Sequence, residues 1–326
     1  MAIKELLLDV AKTGLRHLNF HKSGGRADIA LVGSRRSGST LLMQMIGSSH
    51  GVRSVNQPLS IQSGPFIQAR KVAMFRSRYF TNLSESERLA MRKFFEDIRK
   101  SQIRVDEPWR LWAADFHFRT NRIVFKFTNA HYLRSLLKDD LGMTVVDFLR
   151  HPLHQVISCE RNKWAHHLDD FVREPGFLEQ VLSPDERSCL DDVSLSGSPF
   201  EKLALTWILE NLPILRSTEA GYRRVYYEDL VAADEAYLND LCTALQIEVR
   251  AASRELARPS RSTKSLSTQV TKDSISKRNL LNFLQEKHQK IPEEKKEVLQ
   301  TLLDTFRIET YSAYTVFPCH DPRGSV

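Results

Sequence analysis

The densest chemistry in this chain lies in eight consecutive residues, Gly33-Ser34-Arg35-Arg36-Ser37-Gly38-Ser39-Thr40. An apolar run, 28–33 (DIALVG), precedes them, and a helical pattern, 39–48, follows. A strand–loop–helix turn of this kind aims backbone N–H groups and a helix start at one point, where phosphate or a similar oxyanion binds. The glycines permit close approach of the backbone. The spacing is near that of GxxxxGK[ST], but Ser39 stands where that motif has Lys. A nucleoside-triphosphate enzyme without that Lys loses its main β/γ-phosphate contact. Here the cation comes earlier, as Arg36 with Arg35 beside it, and Ser37, Gly38, Ser39 and Thr40 complete the loop.

A second constellation follows the apolar run 143–149 (MTVVDFL). Arg150 stands at the end of that strand, Pro152 opens a helix at a first-turn position, and Ser158 comes eight residues after the Arg. A guanidinium at a strand's carboxyl end offers forked donors to a phosphate. A hydroxyl two turns into the next helix can turn toward the same group. Tyr226-Tyr227-Glu228-Asp229-Leu230 closes a further strand and leads into an acidic helix. Lys126 lies near the end of the strand 122–128 (RIVFKFT).

These motifs together resemble the sulfotransferases that use 3′-phosphoadenosine 5′-phosphosulfate (PAPS). Arg35–Leu42, RRSGSTLL, looks like the PRSGST-like 5′-phosphosulfate loop of the bacterial and Golgi-type members, with Arg35 in place of the proline. The Arg150/Ser158 spacing is similar to the family's 3′-phosphate site, and YEDL to a segment that sets Tyr227 near the adenosine. The family's RKG signature is absent. Arg261 and Lys264, in the basic loop 258–276, lie where that signature would cover the 3′-phosphoadenosine. The resemblance implies Arg36 and Lys126 as cations on the transferring group, PAPS as donor and PAP as product, and no metal. It implies a P-loop-like α/β fold over about residues 30–265.

The proton acceptor is the open part of the site. The resemblance implies either a His past the Lys strand or a Glu soon after the first helix. Gln57 occupies the latter region and cannot take a proton at neutral pH. His131 follows Lys126 in the former and is the expected base, since an imidazole is largely neutral at pH 7. Glu107, Asp115 and His117 are weaker candidates; His166-His167 could face an acceptor, though such a pair is more often a surface feature.

The elements that must position these groups read as alternating strands and helices. Strands at 28–33, about 52–60, 122–128, 143–149 and 223–227 alternate with helices at 39–48, about 87–100 after the capping box Ser84/Glu87, 130–138, from Pro152, 200–217 and 234–245. Such alternation predicts a three-layer α/β sandwich around a parallel sheet. We expect a single domain over 1–326, with an N-terminal amphipathic helix over about 3–18 and two C-terminal helices over about 277–289 and 293–306.

Composition sets the outer bounds. The 326 residues carry 47 Lys+Arg against 40 Asp+Glu, a net charge of +7, with mean hydropathy −0.36. This excludes long disorder and a membrane bundle, and suits a small polyanionic ligand better than nucleic acid, for which no aromatic–basic repeat is present. The cysteines, Cys159, Cys189, Cys242 and Cys319, form no CxxC pair and no zinc spacing, so reduced thiols in a cytoplasmic protein are expected. The leading reading is a sulfotransferase acting on a hydroxyl or amine of a small-molecule, carbohydrate or lipid acceptor. Its rivals are a P-loop small-molecule kinase and a catalytically inactive PAP- or PAPS-binding protein. Phe66, Phe75, Tyr79, Trp109 and Trp112 are candidate walls of the acceptor pocket.

Overall fold

A computed structural model describes residues 19–60, 79–103, 114–257 and 277–319. In chain order the strands are β1 Phe20–His21, β2 Ile29–Val32, β3 Val52–Asn56, β4 Arg119–Thr120, β5 Arg122–Phe127, β6 Thr144–Leu149 and β7 Arg223–Tyr226. The helices are α1 Ser39–Gly47, α2 Glu85–Arg99, α3 Pro152–Arg161, α4 Leu168–Val172, α5 Pro175–Val181, α6 Pro184–Ser196, α7 Pro199–Leu215, α8 Tyr227–Ala232, α9 Glu235–Leu245, α10 Val249–Leu256, α11 Lys277–Gln289 and α12 Glu293–Thr305. The candidate helix 3–18 and the basic loop 258–276, with Arg261 and Lys264, lie outside the described residues. So do Glu107 and the wall candidates Phe66, Phe75, Trp109 and Trp112.

Five strands form one parallel sheet in the order β3-β5-β2-β6-β7. Their sequences are apolar on both faces because both are covered, as parallel sheets require. On one face Leu31, Val124, Val146, Phe148 and Val225 pack under α1, α9 and α10. On the other, Val32, Phe125, Phe127 and Leu149 pack under α2, α3, α7 and α12. The expected three-layer α/β sandwich is therefore the observed one. All five strands run the same way, so their carboxyl ends share one edge. Gly33, Lys126, Arg150 and Tyr227 all stand on that edge.

Three local readings differ from the structure. The expected helix 130–138 is a 3₁₀ turn, His131–Leu133, followed by a wider π turn, Leu136–Asp140. That winding keeps Leu133, Leu136 and Leu137 in the core while Asp140 meets Arg88 and Arg92 of α2 at 3.1 and 2.9 Å. Tyr227 starts α8 rather than ending β7. The stretch 168–196 holds three helices that the periodicity did not mark. Tyr79, a candidate pocket wall, is buried core: it stacks on Phe171 and its hydroxyl donates to Glu210 Oε1 at 2.7 Å.

Candidate anion-binding site

The loop after β2 turns twice through left-handed backbone, at Arg36 (φ 65°) and Gly38 (φ 96°). Glycine is required at the second position for a further reason. A Cβ there would lie 2.5 Å from the Tyr227 ring. Gly38 also leads into α1 without a side-chain cap, and the first turn of α1 carries no acidic residue. Helix starts leave N–H groups without helical partners and carry a partial positive charge. Gly38 offers no side-chain cap, and the Ser39 N–H reaches the Ser37 hydroxyl at 3.3 Å.

Two arginines converge on this turn. Arg36 Nε donates to Ser158 Oγ at 3.1 Å. Arg150 Nη1 donates to the Arg36 carbonyl at 2.9 Å, and its guanidinium lies 4.4 Å from the centre of the Tyr227 ring. The Arg150 Nε is buried without a partner. Burial, then the neighbouring Arg150, lowers the Arg36 pKa. The nearby carboxyl of Glu228 does not ion-pair with Arg150. It is wholly enclosed, accepts the His151 N–H at 3.0 Å, and is pushed up to about 7 by burial. Arg35 donates to the Ala165 carbonyl at 3.3 Å. The Trp164 ring stacks against both loop arginines, 5.2 Å from Arg35 and 5.7 Å from Arg36.

Lys126 approaches from the sheet. Strand alternation puts it on the face of Val124, beneath α1. It is 4% exposed, and its ammonium donates to Asn56 Oδ1 at 3.1 Å. Burial pushes its pKa down to about 8. Gln57 is adjacent, with its N–H on the Lys126 carbonyl at 2.8 Å. The expected loop residues, Arg150, Ser158 and Tyr227 thus gather around one turn, and Lys126 lies on the same sheet edge.

The expected base does not face that cleft. His131 is completely buried, with Nε2 3.3 Å from Ser34 Oγ. Asn211 Nδ2 donates to the same hydroxyl at 3.0 Å. Burial, then Arg134, holds the imidazole down at about 3. Its geometry is that of a brace under the loop. His117 and Asp115 are also misplaced for proton transfer. His117 Nε2 sits 3.0 Å from the carbonyl of Gly47, and Asp115 lies against the same residue, at the far end of α1. Nine helical residues separate that end from the loop, roughly 13 Å. His166-His167 follow Ala165, the residue that Arg35 contacts.

No family model and no curated protein sequence matches the chain. Among solved structures it is similar to the sulfotransferase domain from the Synechococcus PCC 7002 olefin synthase. That match has 16% identity and a TM-score of 0.45, covering 89% of this chain and 98% of that one. The sulfotransferase domain from the curacin biosynthetic pathway matches at 16% identity and a TM-score of 0.44, over 88% and 99%. A sulfotransferase from Alicyclobacillus acidocaldarius matches at 10% identity and a TM-score of 0.35, over 86% and 97%. The architecture given above stands on the strand pairing itself. Among the described residues no helix is long and apolar enough to cross a membrane, and no cluster of His, Cys, Asp or Glu is arranged to hold a metal.

Several site residues were not read from the sequence. Trp164 reaches the loop only because the turn after α3 folds back over it. Arg161 lies within electrostatic range of Arg36, and Lys287 within range of Arg150. Lys287 arrives on α11, which is tied to α3 by His154 Nε2 and His288 Nδ1, 3.2 Å apart. His151 fixes the entry to α3. Its Nδ1 accepts the Leu153 N–H at 3.2 Å, and its Nε2 donates to the Ser312 carbonyl at 3.0 Å. The pairing of Lys126 with Asn56 depends on strand register, which one strand's sequence does not carry.

Proposed function

We propose that this protein is a sulfotransferase that uses PAPS as donor and a hydroxyl or amine as acceptor. One observation carries the reading. Arg36, Arg150 and Ser158 meet beside a helix start whose N-cap is a glycine, bonded to neutral partners and not to carboxylates. Such a site is charged for a dianion. It also lacks the motif lysine that a triphosphate would need at position 39.

The residues fit PAPS. The buried, unpartnered Arg150 Nε and the Ser158 hydroxyl suit a 3′-phosphate. The Tyr227 ring, against Gly38 and Arg150, suits the nucleoside end. The loop amides and Arg36 suit the 5′-phosphosulfate. When bound, PAPS supplies a sulfuryl group on a phosphoric anhydride. Transfer forms a bond from sulfur to the acceptor's oxygen or nitrogen, breaks the bond to the bridging oxygen, and releases PAP and the acceptor's proton. Arg36 stabilises the charge that develops on the bridging oxygen, and Lys126 the sulfuryl oxygens. Asn56 holds the Lys126 ammonium in place. His131, Ser34 and Asn211 hold the loop. All four cysteines are free thiols, in keeping with a cytoplasmic site.

The test is a binding comparison without magnesium. PAP should raise the melting temperature by mass action. AMP, which lacks the 3′-phosphate, and ATP should do so much less at equal concentration. Equal stabilisation by ATP and PAP, or a magnesium requirement, would favour a kinase instead. Tight PAP binding with no sulfated product from labelled PAPS and a metabolite mixture would leave a binding protein.

A further inference from the structure

The turn after α3 carries a tryptophan over the loop. Lys163 there takes left-handed backbone (φ 52°), the Trp164 N–H donates to the Cys159 carbonyl at 3.1 Å, and Asn162 Nδ2 donates to the Ser158 carbonyl at 2.6 Å. These bonds turn the chain back along the end of α3. Arg35 Nη2 fastens the far side of the turn through the Ala165 carbonyl at 3.3 Å. None of these bonds uses the indole, so the turn does not depend on the ring it displays. That ring is 37% exposed and is not part of either buried apolar cluster. It meets the guanidiniums of Arg35 and Arg36, at 5.2 and 5.7 Å from its centre.

Arg36 needs what such a ring supplies. Its hydrogen bond to the described residues is the one from Nε to the Ser158 hydroxyl. A guanidinium held at Nε alone can still swing about that bond. Arg150 and Arg161 repel it. A carboxylate would steady the fork, but it would also take the outer donors and cancel the charge. An aromatic face attracts a cation within about 6 Å through its quadrupole, and guanidinium planes stack on such faces. It takes no N–H, so the groups on both Nη atoms stay open, and it adds no formal charge.

We infer that Trp164 is a positioning residue of the anion site: its ring holds the plane of the Arg36 guanidinium, with Arg35 beside it, and leaves the Arg36 Nη groups open for a tetrahedral oxyanion. The oxyanion then meets a fork already ordered, and less side-chain freedom is lost on binding. The identity of that oxyanion as part of PAPS rests on the reading above; the hold of the ring on the fork does not.

The full chain labelled with ¹⁵N in its arginine side chains tests this. Arg36→Lys identifies the Arg36 Nε–H signal. The indole's ring current should displace that signal from the ordinary arginine range. Trp164→Leu should return it, and Trp164→Phe should keep part of the displacement. Over the same set, PAP affinity should fall about two- to fivefold in Trp164→Leu, the worth of an exposed cation–π contact, and recover in Trp164→Phe. If Trp164→Leu does not fold, protein made with fluorinated tryptophan reads the same contact, because fluorine weakens the quadrupole at nearly unchanged shape. PAP affinity should then fall with each added fluorine, and Trp164→Phe grown in the same medium controls for the other tryptophans. An Arg36 signal in the ordinary range, or one indifferent to residue 164, would overturn the proposal. So would a PAP affinity that neither Trp164→Leu nor fluorination changes, or that Trp164→Phe lowers as far as Trp164→Leu does. Inorganic sulfate titrated in parallel separates this from the donor reading. Sulfate moving the Arg36 signal with PAP silent removes the donor reading, and sulfate then reads the substitution series. PAP binding that ignores residue 164 removes the positioning role and leaves the donor reading. Silence with both anions overturns both.

Discussion

The two edges of the sheet treat their cations differently. At the amino ends of the strands, Arg99 meets a carboxylate and Arg122 the carbonyl end of a helix. Arg99 bonds Asp28 at 2.7 Å, and the other oxygen of that carboxylate accepts the Ile123 N–H at 2.7 Å. Arg122 donates to the Ala27 carbonyl and to that of Leu245, the last residue of α9, both at 2.6 Å. A helix's carboxyl end carries partial negative charge. At the carboxyl ends, Arg36 holds a hydroxyl, Arg150 a loop carbonyl and an aromatic face, and Lys126 a side-chain amide. The partners there orient the cations and leave their charge in place. The carboxyl-end edge leaves Arg36 and Arg150 with no carboxylate bonded to either, at some cost in repulsion between them.

The largest effect expected from this contrast is on turnover. Arg36→Ala removes a donor aimed at developing charge and should lower kcat by about 10²–10³, the scale of a lost oxyanion donor. PAP affinity should fall less steeply. A normal kcat with a raised KM for PAPS would make Arg36 a ground-state binding residue only.

The next largest is a crossed pair. Arg150→Ala should weaken PAP by about 2–4 kcal/mol, as truncations of charge-paired contacts do, and leave AMP nearly unaffected. Asp28→Asn, at the opposite edge, should lose about 1.5–3 kcal/mol of stability, the worth of hydrogen bonds to a charged group, with PAP affinity unchanged. Calorimetry of both variants, folded and titrated, checks this. Loss of PAP binding in Asp28→Asn or none in Arg150→Ala would erase the distinction between the edges.

The sequence was legible where function and structure are local. The loop, α1, the five sheet strands and the Arg150/Ser158 spacing are each set by neighbouring residues, and all appear where expected. Some local signals went unread. Ser183-Pro184-Asp185-Glu186 and Ser198-Pro199-Phe200-Glu201 are both S-P-x-E, and each builds a full capping box at the start of α6 and α7. Other features were beyond local reading. His131 is buried because Asn211, eighty residues later, closes the Ser34 hydroxyl from the other side. The widened turn at 136–140 is fastened by arginines of α2. Such contacts follow from packing between distant segments, which periodicity does not encode.

A moderate effect tests the charge on Lys126. With its pKa held down to about 8, the ammonium loses its proton at a pH where an exposed lysine would keep it. PAPS kcat/KM, which reports the free enzyme, should therefore fall as pH rises through about 8. Stability should move the other way. Between about 8 and the unfolded value near 10.5, the unfolded chain binds the proton and the folded chain does not, so this group's contribution to stability rises with pH. Lys126→Arg keeps its charge and should shift the descending limb upward while removing that stability gain. A limb that stays in place would assign it to another group.

The smallest effect on chemistry, and the most direct check on the brace, concerns His131. Its imidazole is neutral in the folded protein down to about pH 3, against 6.5 for a free histidine. Between those values the unfolded state binds the extra proton, so the stability that His131 contributes falls as pH drops from about 6.5 toward 3. Nothing about its titration falls within a working pH range of 5.5 to 7.5. A kcat limb in that interval must come from another group. His131→Gln keeps a side-chain amide within reach of Ser34 and should leave kcat within about threefold, while flattening part of the acid limb of the stability curve; His151 and His154, also buried neutral, supply the rest. His131→Ala, which opens a cavity under the loop, should cost about 2–4 kcal/mol of stability. A kcat loss of about 10²–10⁴ in His131→Gln, with PAP affinity and melting temperature intact, would restore His131 as the base and require the loop to open around it during the reaction.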